Sequence, residues 1–153
     1  MRMGKKGTSL KKILLATDGS DSAQKATETV KQFLTAYSEL QVIVLHVSYN
    51  AMLYDTATFT PATVYEELNR QQQEITHQLE AECSNVFANW QDRVRFVNVV
   101  GYPSGEICRV AEEEHADLIV VGSHGKSAVD RLLLGSVSHG VLNHAKVSVL
   151  VVR

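Results

Sequence analysis

Cysteine is scarce. The 153 residues hold two, Cys83 and Cys108, without a CxxC spacing. A disulfide framework and a thiolate metal site are thereby excluded, and both thiols, lying within helical patterns, are expected to be free and buried or half-buried. Long apolar runs are lacking too. No stretch approaches the ~20 residues a membrane span requires, and the N-terminus has no apolar signal-peptide core, so a cytoplasmic protein without a membrane partner is expected. Nor is there an excess of positive charge. Fifteen Lys and Arg against 17 Asp and Glu leave a net charge of -2, and the absence of a basic stripe argues against nucleic acid as a partner. The one basic cluster, Lys5, Lys6, Lys11 and Lys12, flanks a Gly-rich segment. Residues 1–9 therefore read as a flexible, solvated tail.

Catalytic signatures are equally thin. There is no nucleophile elbow, kinase set or deaminase motif, and no GxGxxG follows the first apolar run. Gly125-Lys126-Ser127 matches the end of a Walker A loop, but the first glycine that motif needs falls on Val120. The carboxylates at Glu66-Glu67 and Glu112–Glu114 lie on polar helix sides. His139 and His144 are five apart, not the i, i+4 spacing of a helical metal pair. His46, inside an apolar run, reads as a hydrogen-bonded core residue. No catalytic residue and no protein metal ligand is assigned.

What remains is a pattern of alternation. Short apolar runs at Lys12–Thr17, Gln41–Ser48, Arg93–Val100, Asp117–Val121 and Val147–Val152 read as buried strands. Between them, apolar residues recur at three- and four-residue spacing. One helix carries Ala23, Ala26, Val30, Phe33, Leu34 and Tyr37 inward, capped by Ser20 or Asp21. A second has Pro61 in its first turn, with Thr63-x-x-Glu66 as a possible capping box and a stripe from Val64 through Leu79 to Trp90. Two more cover Ser104–Glu114 and Gly135–Ala145. The loop before Pro61 carries Met52, Tyr54 and Phe59, as edge packing or as a cover beside a ligand.

The β-α-β-α-β-α-β-α-β order without linker or repeat implies a single α/β domain, residues 10–153, with a parallel sheet covered on both faces. Two strand orders suit it, 3-2-1-4-5 and 2-1-3-4-5. The first makes strands 1 and 4 neighbours at the switch point, bringing Asp18 and Gly122 to one crevice, and is preferred for that reason.

The chain's chemistry concentrates in Val121–Ser138, VGSHGKSAVDRLLLGSVS, where two glycines three apart precede Gly135-Ser136. Glycines let backbone N–H groups approach an anion, and a helix N-terminus offers unpaired donors and a favourable dipole. Gly122, Gly125, Gly135, Ser136 and Ser138 are therefore candidates to hold nucleotide phosphates, with Lys126 and Arg131 as electrostatic helpers or surface charges. His124, inside the loop, touches the ligand or caps the turn. Asp18, at a strand end, suits ribose hydroxyls or a base amino group, or caps the following helix. A Mg²⁺ or Mn²⁺ ion would arrive with the phosphates.

Three stretches carry a resemblance to a known family: KILLATDGS at Lys12–Ser20, VLHV at Val44–Val47, and DLIVVGSHGKS…RLLLGSVS…VL at Asp117–Leu142. They resemble the universal stress protein family over nearly the whole chain, and the Gly-x2-Gly-x9-Gly-Ser spacing is similar to that of its ATP-binding branch. The resemblance implies a Rossmann-like sheet of five parallel strands. It implies Asp18 and the Val47 backbone at the adenine end, with Ala16 and Thr17 nearby. Val121 and Gly122 would line base and ribose, and Val137 would join the phosphate group, with Ser123 and His124 in the same loop. Where family members carry proline before the last strand, this chain has Lys146-Val147-Ser148.

In the 3-2-1-4-5 order, Val147–Val152 is an edge strand, apolar on both faces and open to pairing. Family members similarly dimerise through this strand, so a homodimer across it is expected. The leading functional expectation is a stress-response module that binds ATP, ADP or AMP and acts as a sensor. A slow ATP hydrolase or nucleotidyl-transfer enzyme, and a nucleotide-free chaperone-like dimer, are the alternatives.

Overall fold

The computed structural model describes residues 9–49, 61–126 and 134–153. It contains five strands, β1 (Lys12–Ala16), β2 (Gln41–Ser48), β3 (Val94–Val100), β4 (Leu118–Gly122) and β5 (Ser148–Val152). All adjacent pairs are parallel, and their order across the sheet is β3-β2-β1-β4-β5. This is the order preferred from the sequence. Between the strands run α1 (Asp21–Ala36), α2 (Ala62–Val86), α3 (Pro103–Glu113) and α4 (Ser136–His144), with a 3-10 turn at Ala88–Trp90.

Alternation along the central strands sorts their side chains into two cores. Ile13, Leu15, Val42, Val44 and Val120 pack with Ala26, Val30 and Leu34 of α1 and with Phe87 beyond α2. Leu14, Leu45, Ile119 and Val121 pack with Ile107, Cys108 and Ala111 of α3 and Val141 of α4. Each fully buried aliphatic side chain contributes about 1.5–3 kcal/mol. Helices α1 and α2 thus cover one face and α3 and α4 the other, and the chain changes direction between β1 and β4.

Long-range polar contacts fix the element ends. Asp117 Oδ2 accepts the Lys11 and Lys12 N–H groups at 2.9 Å each, anchoring the start of β1. The Arg93 guanidinium donates to the Tyr37 and Ser38 carbonyls at 2.9 and 2.8 Å. It supplies the positive charge that α1 lacks in its last turn.

Several sequence expectations need correction. Tyr37 does not face inward: it is the C-cap of α1, in extended backbone, and 46% exposed. The Thr63–Glu66 capping box is not formed, because Pro61 is the N-cap and Thr63 already lies inside the first turn. Val64, at the head of the expected stripe, is exposed, and only Leu79 of α2 is buried. At 1.5 Å per residue α2 is about 37 Å long, whereas β2 beneath it reaches about 26 Å. Its first turns therefore overhang the sheet. Trp90 sits in the 3-10 turn beyond α2. The last strand begins at Ser148, one residue late, yet pairs in register with Leu118. Cys83 is half-buried and Cys108 buried, both free. Met52, Tyr54, Phe59 and Arg131 lie outside the described residues, as do residues 1–8 of the expected tail.

Candidate functional site

The two helical layers part where the sheet changes direction. There β1 continues into Thr17-Asp18-Gly19 and β4 into Ser123-His124-Gly125. Gly19 adopts φ +74°, a left-handed conformation open to glycine. The turn is closed by Asp18 Oδ1, which accepts Ser20 N–H at 2.9 Å, and Ser20 Oγ caps α1 by accepting Ala23 N–H at 3.3 Å. Asp18 thus orders the turn with one oxygen. Its other oxygen, Oδ2, lies 3.1 Å from where a Cβ on Gly125 would stand. The acidic strand end and the glycine loop therefore do meet.

The first turn of α1 holds this loop from behind. Ser22 Oγ accepts His124 N–H at 3.2 Å and donates to the His124 carbonyl, which also accepts from Ser20 Oγ at 3.2 Å. The fit is close enough to explain Gly122. A Cβ there would collide with Ser22 Oγ and stand 2.7 Å from the Ser22 carbonyl carbon and 2.8 Å from Ala23 N. Gly122 is required by the packing of α1, whatever the crevice holds.

On the other side, Gly135 N–H donates to the Ser123 carbonyl at 2.7 Å, drawing the start of α4 against the loop. Ser138 Oγ donates to the Ser123 and Gly135 carbonyls at 3.1 and 3.0 Å and is buried. Its hydroxyl locks the loop to the helix. Gly135, the N-cap, has no side chain to satisfy the first N–H groups of α4. Those of Ser136, Val137 and Ser138 precede the first helical bond, His139 N–H to Gly135 O, and remain the donors of the helix N-terminus.

These parts enclose a cavity of about 590 Å³, within the range of small-molecule sites. One end is apolar, lined by Ala16, Leu45, Val47, Tyr49, Pro103 and Val121; the other is lined by Gly125, Lys126, Gly135, Ser136 and Val137. Thr17, Asp18, Gly122, His124 and Ser138 lie along the same wall. Ser123 is the expected site residue that does not line it: at 2% exposure it bonds backbone to Val152 O at 2.8 Å and hydroxyl to His124 Nδ1 at 2.8 Å.

His46 stands behind this wall. Its Nδ1 lies 3.1 Å from the Thr17 carbonyl, and since a carbonyl only accepts, that nitrogen carries the proton. Burial pushes the imidazole below its ordinary value, opposed by the Thr17 bond and the Asp18 charge and assisted by Lys126. Nε2 of His46 and Nε2 of His124 are buried without a partner among the described residues. Also among the described residues, no cluster of three or more His, Cys, Asp or Glu side chains gathers to hold a metal ion.

The sequence profile of the Universal stress protein family matches residues 9–153. The chain belongs to the universal stress protein family. Universal stress protein MJ0577 of Methanocaldococcus jannaschii is 34% identical over 154 residues, covering 94% of each chain, and its solved structure superposes with a TM-score of 0.75. Universal stress protein UspA from Lactobacillus plantarum is 25% identical, with a TM-score of 0.77 over 94% of this chain and 98% of its own. A universal stress protein solved in complex with cAMP is 27% identical, with a TM-score of 0.59 over 94% and 96%.

Within this universal stress protein, Leu45, Tyr49, Pro103 and Ile107 line the cavity without having been singled out from the sequence. Two of them carried a signal: Leu45 and Tyr49 are two residues either side of Val47, on the same face of β2. Nothing in the sequence marked Ser22, whose partner is 102 residues away.

Proposed function

We propose that this universal stress protein binds an adenine nucleotide, ATP or its di- or monophosphate, in the crevice between β1 and β4, and acts as a nucleotide-dependent regulatory module in the stress response. One observation carries the reading. Gly125, Gly135 and the uncapped N-terminus of α4 converge opposite Asp18 on a cavity whose other end is apolar. A ligand anionic at one end and flat and apolar at the other suits those walls. The relative solved with cAMP supports the same ligand class. Asp18 would take ribose hydroxyls, the α4 N–H groups phosphate oxygens, and Lys126 would add charge. A divalent cation would be held chiefly by the phosphates, since Asp18 is the only carboxylate lining the cavity among the described residues.

The test is to denature freshly purified protein, identify released small molecules by mass spectrometry, and titrate the emptied chain with ATP and Mg²⁺. Released adenine nucleotide or saturable binding near one per chain is expected. Neither carry-over nor binding up to millimolar ATP would reduce the loop to a turn.

We further propose a homodimer through β5, which lies at the sheet edge with Val149, Leu150, Val151 and Val152 half-buried. Val152 O accepts from Ser123 on the β4 side, so the alternate residues Val149 and Val151 turn their N–H groups outward. Val151→Pro removes one outward donor without a β4 bond and should shift the mass in light scattering from dimer to monomer.

A further inference from the structure

The apolar end of the cavity has one wall that the family resemblance did not supply. Leu45, Val47 and Tyr49 follow one another at two-residue spacing, and all three line the cavity. Tyr49 therefore continues the inner face of β2 one step past the strand's end, where the sheet itself no longer offers a surface.

Its ring is braced. Tyr49 and Tyr102 meet edge to face, with centroids 5.6 Å apart and an interplanar angle of 83°. The backbones that carry them are tied next door, by Gly101 N–H donating to the Ser48 carbonyl at 3.1 Å. Tyr102 is the N-cap of α3, and Pro103, at that helix's start, also lines the cavity. Among the described residues the ring is thus braced between the end of β2 and the start of α3, while Tyr102 itself is 63% exposed.

Resting on the nucleotide reading above, we infer that Tyr49, held by Tyr102, is the stacking wall for the base and a specificity-determining residue for nucleobase-bearing ligands. Flat π-faces attract one another in offset or edge-to-face geometry, and a rigid tyrosine supplies that surface with little entropy to lose on binding. The wall selects for the presence of a base and leaves the choice among bases to hydrogen-bonding groups.

The test is calorimetric titration of the full chain with ATP for wild type, Tyr49→Phe, Tyr49→Leu and Tyr102→Ala, with a thermal midpoint for each. Tyr49→Phe keeps the ring and should bind within about twofold of wild type. Tyr49→Leu keeps apolar bulk without the ring and should bind about tenfold more weakly or worse, while still melting in one cooperative transition. Tyr102→Ala removes only the brace and should lose about threefold; it carries the test should Tyr49→Leu unfold early. Tyr49→Leu binding like wild type would overturn the wall and leave the nucleotide site standing. Equal weakening in Tyr49→Phe and Tyr49→Leu would also overturn it, by assigning the effect to the hydroxyl. A wild type that takes up no ATP would overturn both readings together.

Discussion

The glycine loop has two sides, and they differ in what fills them. Behind it, toward α1, the loop is held by protein atoms: Ser20 and Ser22 bond the His124 backbone, and Gly122 lies against the Ser22–Ala23 peptide. In front, toward α4, Gly125 meets one carboxylate oxygen, and the helix N–H groups face a cavity. Two glycines three residues apart, alike in sequence, are therefore small for different reasons. Gly122 leaves room for the backbone of α1, whereas a Cβ on Gly125 would meet only a carboxylate oxygen among the described residues.

The largest effect should come from the back. Gly122→Ala puts a methyl group against α1 backbone, which cannot swing aside, and should cost about 2–3 kcal/mol in urea unfolding. Gly105→Ala, whose new Cβ meets nothing within 4 Å among the described residues beyond its own helix backbone and chain neighbours, is the control and should leave stability unchanged or raise it. Were Gly122→Ala as stable as wild type, the contrast between the two sides would collapse.

Next in size, Gly125→Val should weaken ATP binding at least about tenfold, ~1.4 kcal/mol. Stability should stay within about 0.5 kcal/mol, since among the described residues the new Cβ meets only the Asp18 carboxylate oxygen within 4 Å. Equal ATP affinity in wild type and variant would remove Gly125 from the site. Ser22→Ala should be milder, costing about 1 kcal/mol of stability through its two bonds to His124. If the back of the loop positions the front, ATP affinity should fall severalfold alongside, as the same titration would show.

The smallest effect concerns pH. The folded-state pKa of His46 is lowered by burial, so below its ordinary value of 6.5 the unfolded chain binds the proton and the folded one resists it. Stability should accordingly fall as pH drops below about 6.5 and level off under the folded pKa. His46→Gln, which can still donate to the Thr17 carbonyl, should flatten that part of the profile. A wild-type profile as flat as the variant's would show that the ring titrates normally.

How far the site was legible follows the range of the interactions that build it. Asp18, Gly125 and Gly135-Ser136 carried local signals: an acid at a strand end, and glycines before a helix. The overhanging start of α2 was invisible because periodicity measures which way a side chain points along its own helix and not whether a sheet lies beneath. The Thr63–Glu66 capping box failed because Pro61, a residue with fixed φ, started the helix two positions earlier. The family resemblance implies Ser123 only as a member of the loop, and it cannot tell which loop residues face the crevice: Ser123 turns to β5 and Gly125 to the cavity.

By itself the sequence determined the alternation of strands and helices, the buried strands with their two apolar faces, and the glycine spacing. Each depends on residues within about a turn or a strand of one another. It also named the family, since the strand-end motifs are contiguous. The tertiary structure alone decided that Ser22 grips a loop 102 residues away, that Arg93 caps α1 across the sheet edge, and that Tyr102 packs edge to face on the cavity-lining Tyr49. These contacts join segments whose meeting depends on strand order, and strand order is set by how whole layers pack.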